Sequence, residues 1–483
     1  MYTYTLPFIK MSCKIIKRIE KIRRSGMESL TVNELVIATQ GKLVLGNENY
    51  TIDDIVIDSR KANEKNVFVA IIGENLDGHN FMQSAYEKGC KTFIKNEKSN
   101  IEFNHSDVNV IEVKDTEIAL GDIARYYKEK FEIPFIGITG SVGKTTTRDM
   151  VYAAVSSKFN SLKNEGNLNN QLGVPLTLFE LNKLHECAVI EMGMSGFNEI
   201  EYLANIVNPK IGVISNIGLS HIERLGSQEG ILKAKMEITT NFDSSCTLIV
   251  NGDDKFLSTL KNKEHVYTLK TFGFNKDNDI YCEEFTMGEE SITFTCVIDD
   301  KKEEVFIPTV GEHNIYNAMA AILVGMTLEI PLENIKEGLK NYKATKMRLD
   351  IVKGNEITII NDTYNASPDS MNAALKILGR YNERKVAILG DMFEMGEHAE
   401  YGHRLVGKSA VGNTDLLITI GDDSKFIGDE AKILGFNLEN IYHFATKEEA
   451  IKKLDELIQK SDVVLVKASR GMKLEKIVEY LNR

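Results

Sequence analysis

The stretch Ile133–Arg148, IPFIGITGSVGKTTTR, decides how the rest of the chain is interpreted. Its first seven residues are mostly apolar and β-branched, which predicts a buried strand. Gly140 and Gly143 then mark a tight turn, and Lys144 opens a helix. The backbone N–H groups of such a turn, together with the helix dipole, form a cradle for phosphate. The alternative is a chance glycine turn between a strand and a helix.

The loop predicts nucleotide binding in a shortened form of the general phosphate-loop pattern. Ile138 stands where that pattern has a glycine, and the chain fits TGSVGKTT instead. Lys144 is predicted to reach the outer phosphates, and the Thr145 hydroxyl to ligate Mg²⁺. The residues predicted to contact ATP in this loop are Thr139, Gly140, Ser141, Val142, Gly143, Lys144, Thr145 and Thr146.

The composition favours a soluble protein of several domains. A chain of 483 residues suggests about three domains of ~150 residues each. The six cysteines form no Cys-x-x-Cys pair, which indicates a reduced, cytoplasmic compartment. No apolar run approaches the ~20 residues that a membrane helix needs, so we expect no stable membrane insertion. The net charge of −12 argues against nucleic acid as a partner.

Residues 1–26 form a basic leader, with seven lysines and arginines against one glutamate. Its isoleucines fall at helical spacing, so a short amphipathic helix could touch anionic lipid. The favoured alternative is a disordered extension, or an upstream start codon with the working protein beginning at Met27.

Alternating strand and helix patterns follow, which predict an α/β fold with mostly parallel sheets. We expect an N-terminal domain over residues 27–108, a central domain over 109–344 and a C-terminal domain over 345–483.

Two further groups of polar residues accompany the phosphate loop. Glu191 ends an apolar strand, where a carboxylate can hold Mg²⁺. His221 follows the next strand and is either a second metal ligand or an ordinary loop histidine. Asn167 and Asn170 belong to an amide-rich segment that suits either a polar substrate or a capped turn.

The N-terminal domain contains two short polar motifs. Ser59 and Arg60 end a strand, where arginine could grip a diphosphate or a ribose. Asn75, Asp77 and His79 belong to a loop bounded by glycines. For each motif alone, ordinary surface turn chemistry is the favoured interpretation.

The C-terminal domain has polar residues at its strand ends but no phosphate loop of its own. These residues are Arg348, Asp362, Tyr364, Asn365, Asp391, Glu394, Lys467, Ser469 and Arg470. They suit a lid that supplies an arginine and a substrate pocket to the bound nucleotide. Alternatively, Arg348 and Arg470 are ordinary solvated arginines.

Many motifs in order give the chain a resemblance to a known family. They include DSR, GENLDGHNF, TGSVGKTTT, NLNNQLGVPLTL, EMGMSG, SHIERLGSQEGILKAK, GEHNIYNAMAA, MRLD, NDTYNASPDSM, LGDMFEMGE and KASRGMK. From about Met27 onward the chain resembles the Mur ligases of peptidoglycan synthesis. NDTYNASPDSM, LGDMFEMGE and GENLDGHNF point to the member that adds a dipeptide.

The resemblance implies a fold and an activity. It implies a small N-terminal α/β domain for a UDP-sugar, a central doubly wound ATPase domain and a Rossmann-like C-terminal domain. The implied enzyme uses ATP and two Mg²⁺ ions to join D-alanyl-D-alanine to UDP-N-acetylmuramoyl-tripeptide through an acyl phosphate. It would be cytoplasmic and, by default, monomeric. The implied catalytic residues are Lys144, Glu191, His221, Lys235 and Arg348, with Thr145, Glu191 and His221 on metal.

The resemblance also implies ligand contacts, residue by residue. Asn314 and Asn317 would lie near the adenine, and Asp362 near the ribose. Lys235 would be carbamylated, which turns a cation into a carboxylate near the second metal. The implied UDP-substrate residues are Ser59, Arg60, Asn75, Asp77, His79, Asn167 and Asn170. The implied acceptor residues are Tyr364, Asn365, Lys467, Ser469 and Arg470.

Three other functions compete with this interpretation. One is another Mur-type or folylpolyglutamate-type amide ligase. The second is a phosphate-loop kinase or ATPase that uses ATP for phosphoryl transfer alone. The third is a nucleotide-gated binding module that docks on membrane synthesis machinery through the basic leader.

Overall fold

A computed structural model describes residues 26–73, 75–100, 105–354 and 356–483. Apart from Gly26, the predicted basic leader lies outside the described residues. Among the described residues, no helix combines the length and the apolar character needed to cross a membrane.

The strands are short and regularly spaced along the chain. They are β1 Leu30–Thr31, β2 Lys42–Leu45, β3 Thr51–Ile52, β4 Asp54–Val56, β5 Asn66–Val69, β6 Thr92–Asn96, β7 Asn109–Val113, β8 Phe135–Thr139, β9 Ser161–Lys163, β10 Cys187–Glu191, β11 Ile211–Ile214, β12 Thr247–Asn251, β13 Thr268–Gly273, β14 Ile280–Met287, β15 Ile292–Ile298, β16 Lys301–Ile307, β17 Asp350–Lys353, β18 Thr358–Asn361, β19 Lys385–Gly390, β20 Leu416–Ile420, β21 Ile441–Phe444 and β22 Val463–Lys467.

Helices connect most of these strands. They are α1 Val32–Thr39, α2 Met82–Glu87, α3 Thr116–Lys128, α4 Lys144–Val155, α5 Gly173–Leu178, α6 Glu199–Val207, α7 Ile222–Leu225, α8 Gln228–Met236, α9 His313–Thr327, α10 Leu332–Lys340, α11 Pro368–Leu378, α12 Ala399–Ala410, α13 Lys425–Ile433, α14 Lys447–Leu457 and α15 Glu475–Leu481. Short 3₁₀ helices cover Ser59–Lys61, Gly78–Phe81, Glu237–Thr239, Leu257–Asn262, Gly396–His398, Leu438–Asn440 and Arg470–Met472.

The chain divides into two compact units. The first comprises the described residues up to Phe135, together with Phe159–Met192 and Tyr202–Asn208. The second comprises Ile136–Lys158, Gly193–Glu201 and Pro209–Arg483. The three domain boundaries expected from the sequence stay a prediction.

The first unit contains a five-stranded sheet in the order β2-β7-β6-β5-β4. Neighbours from β4 to β7 are parallel and β2 is antiparallel to β7. Buried Phe68 and Phe93 lie on adjacent strands with their ring centroids 6.4 Å apart. In this unit β9 and β10 also pair in parallel, so Glu191 stands at the carboxyl end of a buried strand.

In the second unit, strands follow one another in the order β16-β15-β14-β13-β12-β11-β8. Neighbours from β8 to β14 are parallel, and β14, β15 and β16 form an antiparallel meander. Every residue of β8 and of β11 is buried, as expected for strands covered on both faces. The carboxyl ends of these two strands therefore carry their following loops at the same edge.

The second unit also contains a six-stranded sheet in the order β17-β18-β22-β19-β20-β21. Only β17 is antiparallel to its neighbour. One face buries Met371 and Leu375 of α11, and the other buries Leu454 of α14 and Ile477 of α15. The predicted α/β fold class, with mostly parallel sheets, is confirmed.

Candidate active site

The predicted phosphate loop is a tight connection that is fixed to the loop following β11. Gly140 has φ +151°, and a Cβ there would lie 1.9 Å from Ser215 Oγ. The Ser141 N–H donates to Asn216 O at 3.0 Å, and the Val142 N–H donates to Asn216 Oδ1 at 2.9 Å. Gly143, at φ +82°, immediately precedes α4. The loop is thus held by its neighbours with the helix N-terminus behind it, which is an anion-binding geometry.

Lys144 lies at the start of α4 and turns back over the loop. Its Nζ donates to Gly140 O at 2.9 Å and to Ser141 O at 3.3 Å. The ammonium is therefore already positioned across the loop, where it can meet phosphate oxygens.

Arg348 lies just before β17 of the six-stranded sheet, and it contacts Thr145 at the start of α4. Its Nη2 donates to Thr145 Oγ1 at 3.1 Å, and its guanidinium lies 3.9 Å from the centroid of the Tyr364 ring. Arg348 Nε is buried without a hydrogen-bond partner among the described residues. The flanking Met347 and Leu349 have φ of +63° and +49°. Such backbone strain clusters at functional sites because surrounding contacts must impose it.

A cavity of about 380 Å³ lies beside the loop, within the second unit. It brings together predicted residues that are more than 300 positions apart in the chain. The predicted residues that line it are Val142, Gly143, Thr146, Asn314, Asn317, Arg348, Asp362 and Lys467. The cavity thus combines the phosphate loop with the amides and the carboxylate expected near a nucleoside.

Lys467 and Asp362 form a buried ion pair in this cavity. Nζ lies 2.5 Å from Asp362 Oδ2 and also donates to Asn365 O at 2.8 Å. The exposed side-chain fractions are 2% for Lys467 and 9% for Asp362. Burial lowers the pKa of Lys467, and the Asp362 carboxylate opposes that shift. The structure therefore joins two residues that the sequence interpretation assigned to different ligands, the acceptor and the ribose.

His221 pairs with Glu394, one of the strand-end residues of the C-terminal domain, and this pairing was not predicted. Its Nδ1 lies 2.7 Å from Glu394 Oε2. His221 and Glu394 both have left-handed φ, of +62° and +61°. The His221 hydrogen bond lowers the pKa of Glu394, and the charges of Arg224 and Lys144 act in the same direction. Because Nδ1 is engaged, Nε2 is the ring nitrogen left for a ligand.

Lys235 lies in α8 and is 1% exposed. Burial, reinforced by the charge of Lys144, lowers its pKa well below the usual range for lysine. A solvated surface lysine, the alternative without a family resemblance, does not describe this side chain.

In the first unit, Glu191 is connected to the amide-rich segment. Its Oε1 accepts from Asn169 Nδ2 at 2.7 Å, and its backbone N–H donates to Asn164 Oδ1 at 2.9 Å. Asn170 Oδ1 accepts from the Gly173 N–H at 2.9 Å, so this amide holds the turn that leads into α5. The exposed Asn167 accepts the Asn169 N–H through its backbone carbonyl.

The predicted UDP-substrate residues of the N-terminal part have protein partners. Arg60 is 84% exposed and its Nη2 lies 2.8 Å from Asp58 Oδ2. This pairing lowers the pKa of Asp58 to about 2. His79 is buried, with Nδ1 2.6 Å from Asp77 Oδ1, and its Nε2 accepts the Asn96 N–H at 2.9 Å. Both ring nitrogens are thus used to hold the loop, whereas Asn75 is exposed and Ser59 is buried.

Two predicted acceptor residues hold the loop after β22. Ser469 Oγ accepts the Phe393 N–H at 2.8 Å. Arg470 Nη1 lies 3.2 Å from Glu475 Oε1. The Ser469 contact holds the KASRGMK segment beside the LGDMFEMGE segment, and the Arg470 contact ties it to the start of α15.

Comparison with known proteins agrees with this geometry. Family models match in chain order: Mur ligase family, catalytic domain, at residues 51–128; Mur ligase middle domain at 138–325; and Mur ligase, glutamate ligase domain, at 347–470. A Bacillus subtilis UDP-N-acetylmuramoyl-tripeptide–D-alanyl-D-alanine ligase is 38% identical over 92% of this chain and 97% of its own. The chain belongs to the Mur ligase family. The resemblance drawn from the motifs is therefore confirmed.

Other relatives also match most of this chain and most of their own length. The Escherichia coli UDP-N-acetylmuramoyl-tripeptide–D-alanyl-D-alanine ligase is 31% identical over 94% of this chain and 99% of its own. A crystal structure of MurF from Acinetobacter baumannii superposes with TM-score 0.88 at 32% identity, covering 95% of this chain and 100% of that one. MurF ligase from Thermotoga maritima in complex with ADP superposes with TM-score 0.79 at 26% identity, covering 89% and 97%.

Sequence reasoning missed two side-chain contacts of this site. Glu394 was visible in LGDMFEMGE, but nothing local indicated that it would meet His221, which is 173 positions away. Thr147 is the third threonine after the phosphate loop, and it contacts Asn317. Its only sequence signal was its position one helical turn after Gly143.

Proposed function

We propose that this chain joins D-alanyl-D-alanine to UDP-N-acetylmuramoyl-tripeptide at the expense of ATP. The observation that carries the proposal is the cavity in which the phosphate loop, Arg348, Asp362 and the Asn314–Asn317 pair meet. The Bacillus subtilis and Escherichia coli relatives, which match this chain almost end to end, are named as ligases of these two substrates.

The chemistry explains why cations converge on the loop. The tripeptide carboxylate attacks the γ-phosphorus of ATP, and the bond to ADP breaks to give an acyl phosphate. The dipeptide amine then attacks the acyl carbon, loses a proton and displaces phosphate. Two like charges about 4 Å apart repel by about 4 kcal/mol at an effective dielectric of about 20. We propose that Lys144 and Arg348 offset this repulsion as the anionic reactants approach.

The donor set suits magnesium. The Thr145 hydroxyl in the second unit is a hard oxygen donor of the kind that Mg²⁺ binds alongside phosphates and water, and so, taken by itself, is the Glu191 carboxylate in the first unit. The His221–Glu394 pair leaves Nε2 available, since a metal-bound histidine commonly donates its other nitrogen to a carboxylate. When bound, the ions supply positive charge at the phosphates.

We also propose that Lys235 is carbamylated. A lysine must be neutral to react with CO₂, and deprotonation of an ordinary lysine at pH 7 costs about 4 to 5 kcal/mol. The burial of Lys235 and the nearby charge of Lys144 lower its pKa and so reduce this cost.

The remaining assignments belong to the same proposal. The predicted UDP-substrate and acceptor residues keep their roles as proposals, with Lys467 acting beside Asp362. We propose a cytoplasmic location, since the described cysteines are free thiols and ATP is a substrate. A monomer is the default state in this proposal.

The test is a ligation assay with the purified chain, ATP and Mg²⁺. It uses UDP-N-acetylmuramoyl-tripeptide carrying lysine or diaminopimelate at residue three, and a panel of D-amino dipeptides. ADP and phosphate should appear only when both peptide substrates are present, with the pentapeptide product detected by mass. Steady ATP hydrolysis without the dipeptide would instead favour a phosphate-loop ATPase.

Lys144→Met should lower turnover by at least about 100- to 1000-fold, because it removes a preorganised cation from the phosphates. Lys158→Met is the matched control. Lys158 follows α4 and donates to Glu329 O at 3.0 Å on an exposed surface. Its loss should change turnover less than twofold, and an equal effect of the two variants would contradict the role of Lys144.

A further inference from the structure

A chain of buried hydrogen bonds runs from the loop before α9 to α4. Asn314 Nδ2 donates to Val310 O at 2.6 Å, and Asn317 Nδ2 donates to Asn314 Oδ1 at 3.0 Å. Thr147 Oγ1 donates to Asn317 Oδ1 at 2.9 Å. Thr147, Asn314 and Asn317 are 0%, 2% and 6% exposed, so water competes little for these bonds.

The Val310 carbonyl sets the direction of the two amide bonds in this chain. A backbone carbonyl only accepts, so Asn314 must turn its amino group to Val310 and its oxygen to Asn317. Asn317 must then turn its amino group to Asn314 and its oxygen to Thr147. The Asn317 oxygen needs a donor, and the Thr147 hydroxyl is the group that provides it. Gly143 O, also 2.9 Å from that hydroxyl, already accepts the Thr147 N–H at 2.8 Å.

The arrangement leaves one acceptor and one donor side by side. Asn314 Oδ1 keeps a second lone pair, and Asn317 Nδ2 keeps a second proton. Both residues line the cavity with Gly143, where a Cβ would come within 3.4 Å of Asn317 Oδ1. An adjacent acceptor and donor match the amino group and the neighbouring ring nitrogen of adenine. Inosine presents a carbonyl in place of that amino group.

We propose that Thr147 is a positioning residue for nucleobase selection, because its hydroxyl holds the Asn317 oxygen in the orientation that Val310 and Asn314 set. This inference rests on the proposed use of ATP in this cavity. Without the hydroxyl, the Asn317 oxygen is left buried without its donor, and the amide is no longer held in the orientation that adenine requires.

The test compares three variants for their use of ATP and ITP. Thr147→Val keeps the shape of the side chain and removes the hydroxyl, whereas Thr147→Ser keeps the hydroxyl. Thr327→Val is the matched control, because the Thr327 hydroxyl donates to a backbone carbonyl, Leu323 O, at 2.7 Å in the same helix α9. Steady-state KM and kcat are measured with both peptide substrates saturating, and ADP affinity is measured separately by calorimetry.

Thr147→Val should raise the KM for ATP and the Kd for ADP about tenfold, as expected for one lost buried hydrogen bond. Its kcat should stay within threefold of that of the unmodified chain. The preference in kcat/KM for ATP over ITP should fall about tenfold, and Thr147→Ser should keep it. If Thr147→Val fails to fold, Thr147→Ala serves in its place.

Three results would overturn the inference: an unchanged ATP preference in Thr147→Val, a loss confined to kcat, or an equal loss in Thr327→Val. Failure of the proposed function is distinguishable from these. It would appear as an unmodified chain that neither binds ADP nor forms the peptide product.

Discussion

Lys467→Met should destabilise the six-stranded sheet by an amount that depends on pH. The substitution removes the cation that lies 2.5 Å from Asp362 Oδ2, in a pair that is almost fully buried. The carboxylate keeps the Leu349 N–H, which donates to Oδ1 at 3.2 Å. An unpaired buried carboxylate costs about 3–5 kcal/mol if it stays ionised.

Protonation limits this cost. A carboxyl that binds a proton in the folded state pays about 1.36 kcal/mol for each pH unit above its unfolded pKa of about 3.9. The destabilisation of Lys467→Met therefore cannot exceed about 4 kcal/mol at pH 7 and about 2 kcal/mol at pH 5.5. The folded variant then binds more protons than the unfolded chain, so its stability falls as pH rises. The deficit relative to the unmodified chain should roughly double between pH 5.5 and pH 7.

Hydrogen exchange in β18 and β22 is the suitable measurement, because a chain with several units need not unfold in one step. Asp362→Asn combined with Lys467→Met should recover most of the loss, since no buried charge remains. Lys385→Met is the matched control in the same sheet. Lys385 pairs at 3.1 Å with Asp415, which is 45% exposed, and such a pair contributes about 1 kcal/mol or less.

The reasoning would be refuted by a deficit that is equal at pH 5.5 and pH 7. It would also be refuted if Asp362→Asn gave no recovery, or if Lys385→Met cost as much as Lys467→Met.

Two further predictions concern residues of the same cavity. Burial lowers the pKa of His313 from 6.5 to about 4. Between pH 6.5 and pH 4 the folded state therefore binds fewer protons than the unfolded chain. The free energy of unfolding consequently falls as pH drops through this range. His313→Gln should remove at most about 3 kcal/mol of this pH dependence, measured by hydrogen exchange in α9, and an unchanged slope would contradict it. Arg348→Lys should lower kcat about 100-fold, because lysine reproduces neither the stacking on Tyr364 nor the fork of donors that reaches Thr145. Steady-state kinetics would contradict this if turnover were normal.

The local features of the fold were predictable because their signals are local. An apolar run before Gly140 indicates a buried strand, and the turn at Gly143 before Lys144 requires a positive φ that glycine adopts readily. The structure has β8 and α4 there, with both glycines in that region of φ. The same holds for the alternation of strands and helices that gave the fold class.

The side-chain pairs of the site were not predictable, because they depend on strand order. Asp362 and Lys467 were assigned to different ligands, yet β18 and β22 are parallel neighbours and their ends bring the two residues together. Glu394 and His221 meet for a similar reason, since the Glu394 turn lies against α7, with Gly396 at the Glu223 side chain. The sequence does not encode such neighbours at any fixed spacing.

Strand order also explains why two aspartates at neighbouring strand ends, Asp362 and Asp391, have different partners. Asp362 follows β18 and Asp391 follows β19, on either side of β22. Three backbone N–H groups donate to Asp391, from Asp422 at 3.0 Å, Asp423 at 3.1 Å and Ser424 at 2.7 Å, so this carboxylate holds the loop before α13. Asp362 instead accepts from one lysine and one backbone N–H, and it lines the cavity. The partners that surround each carboxylate therefore decide which one remains available to a ligand.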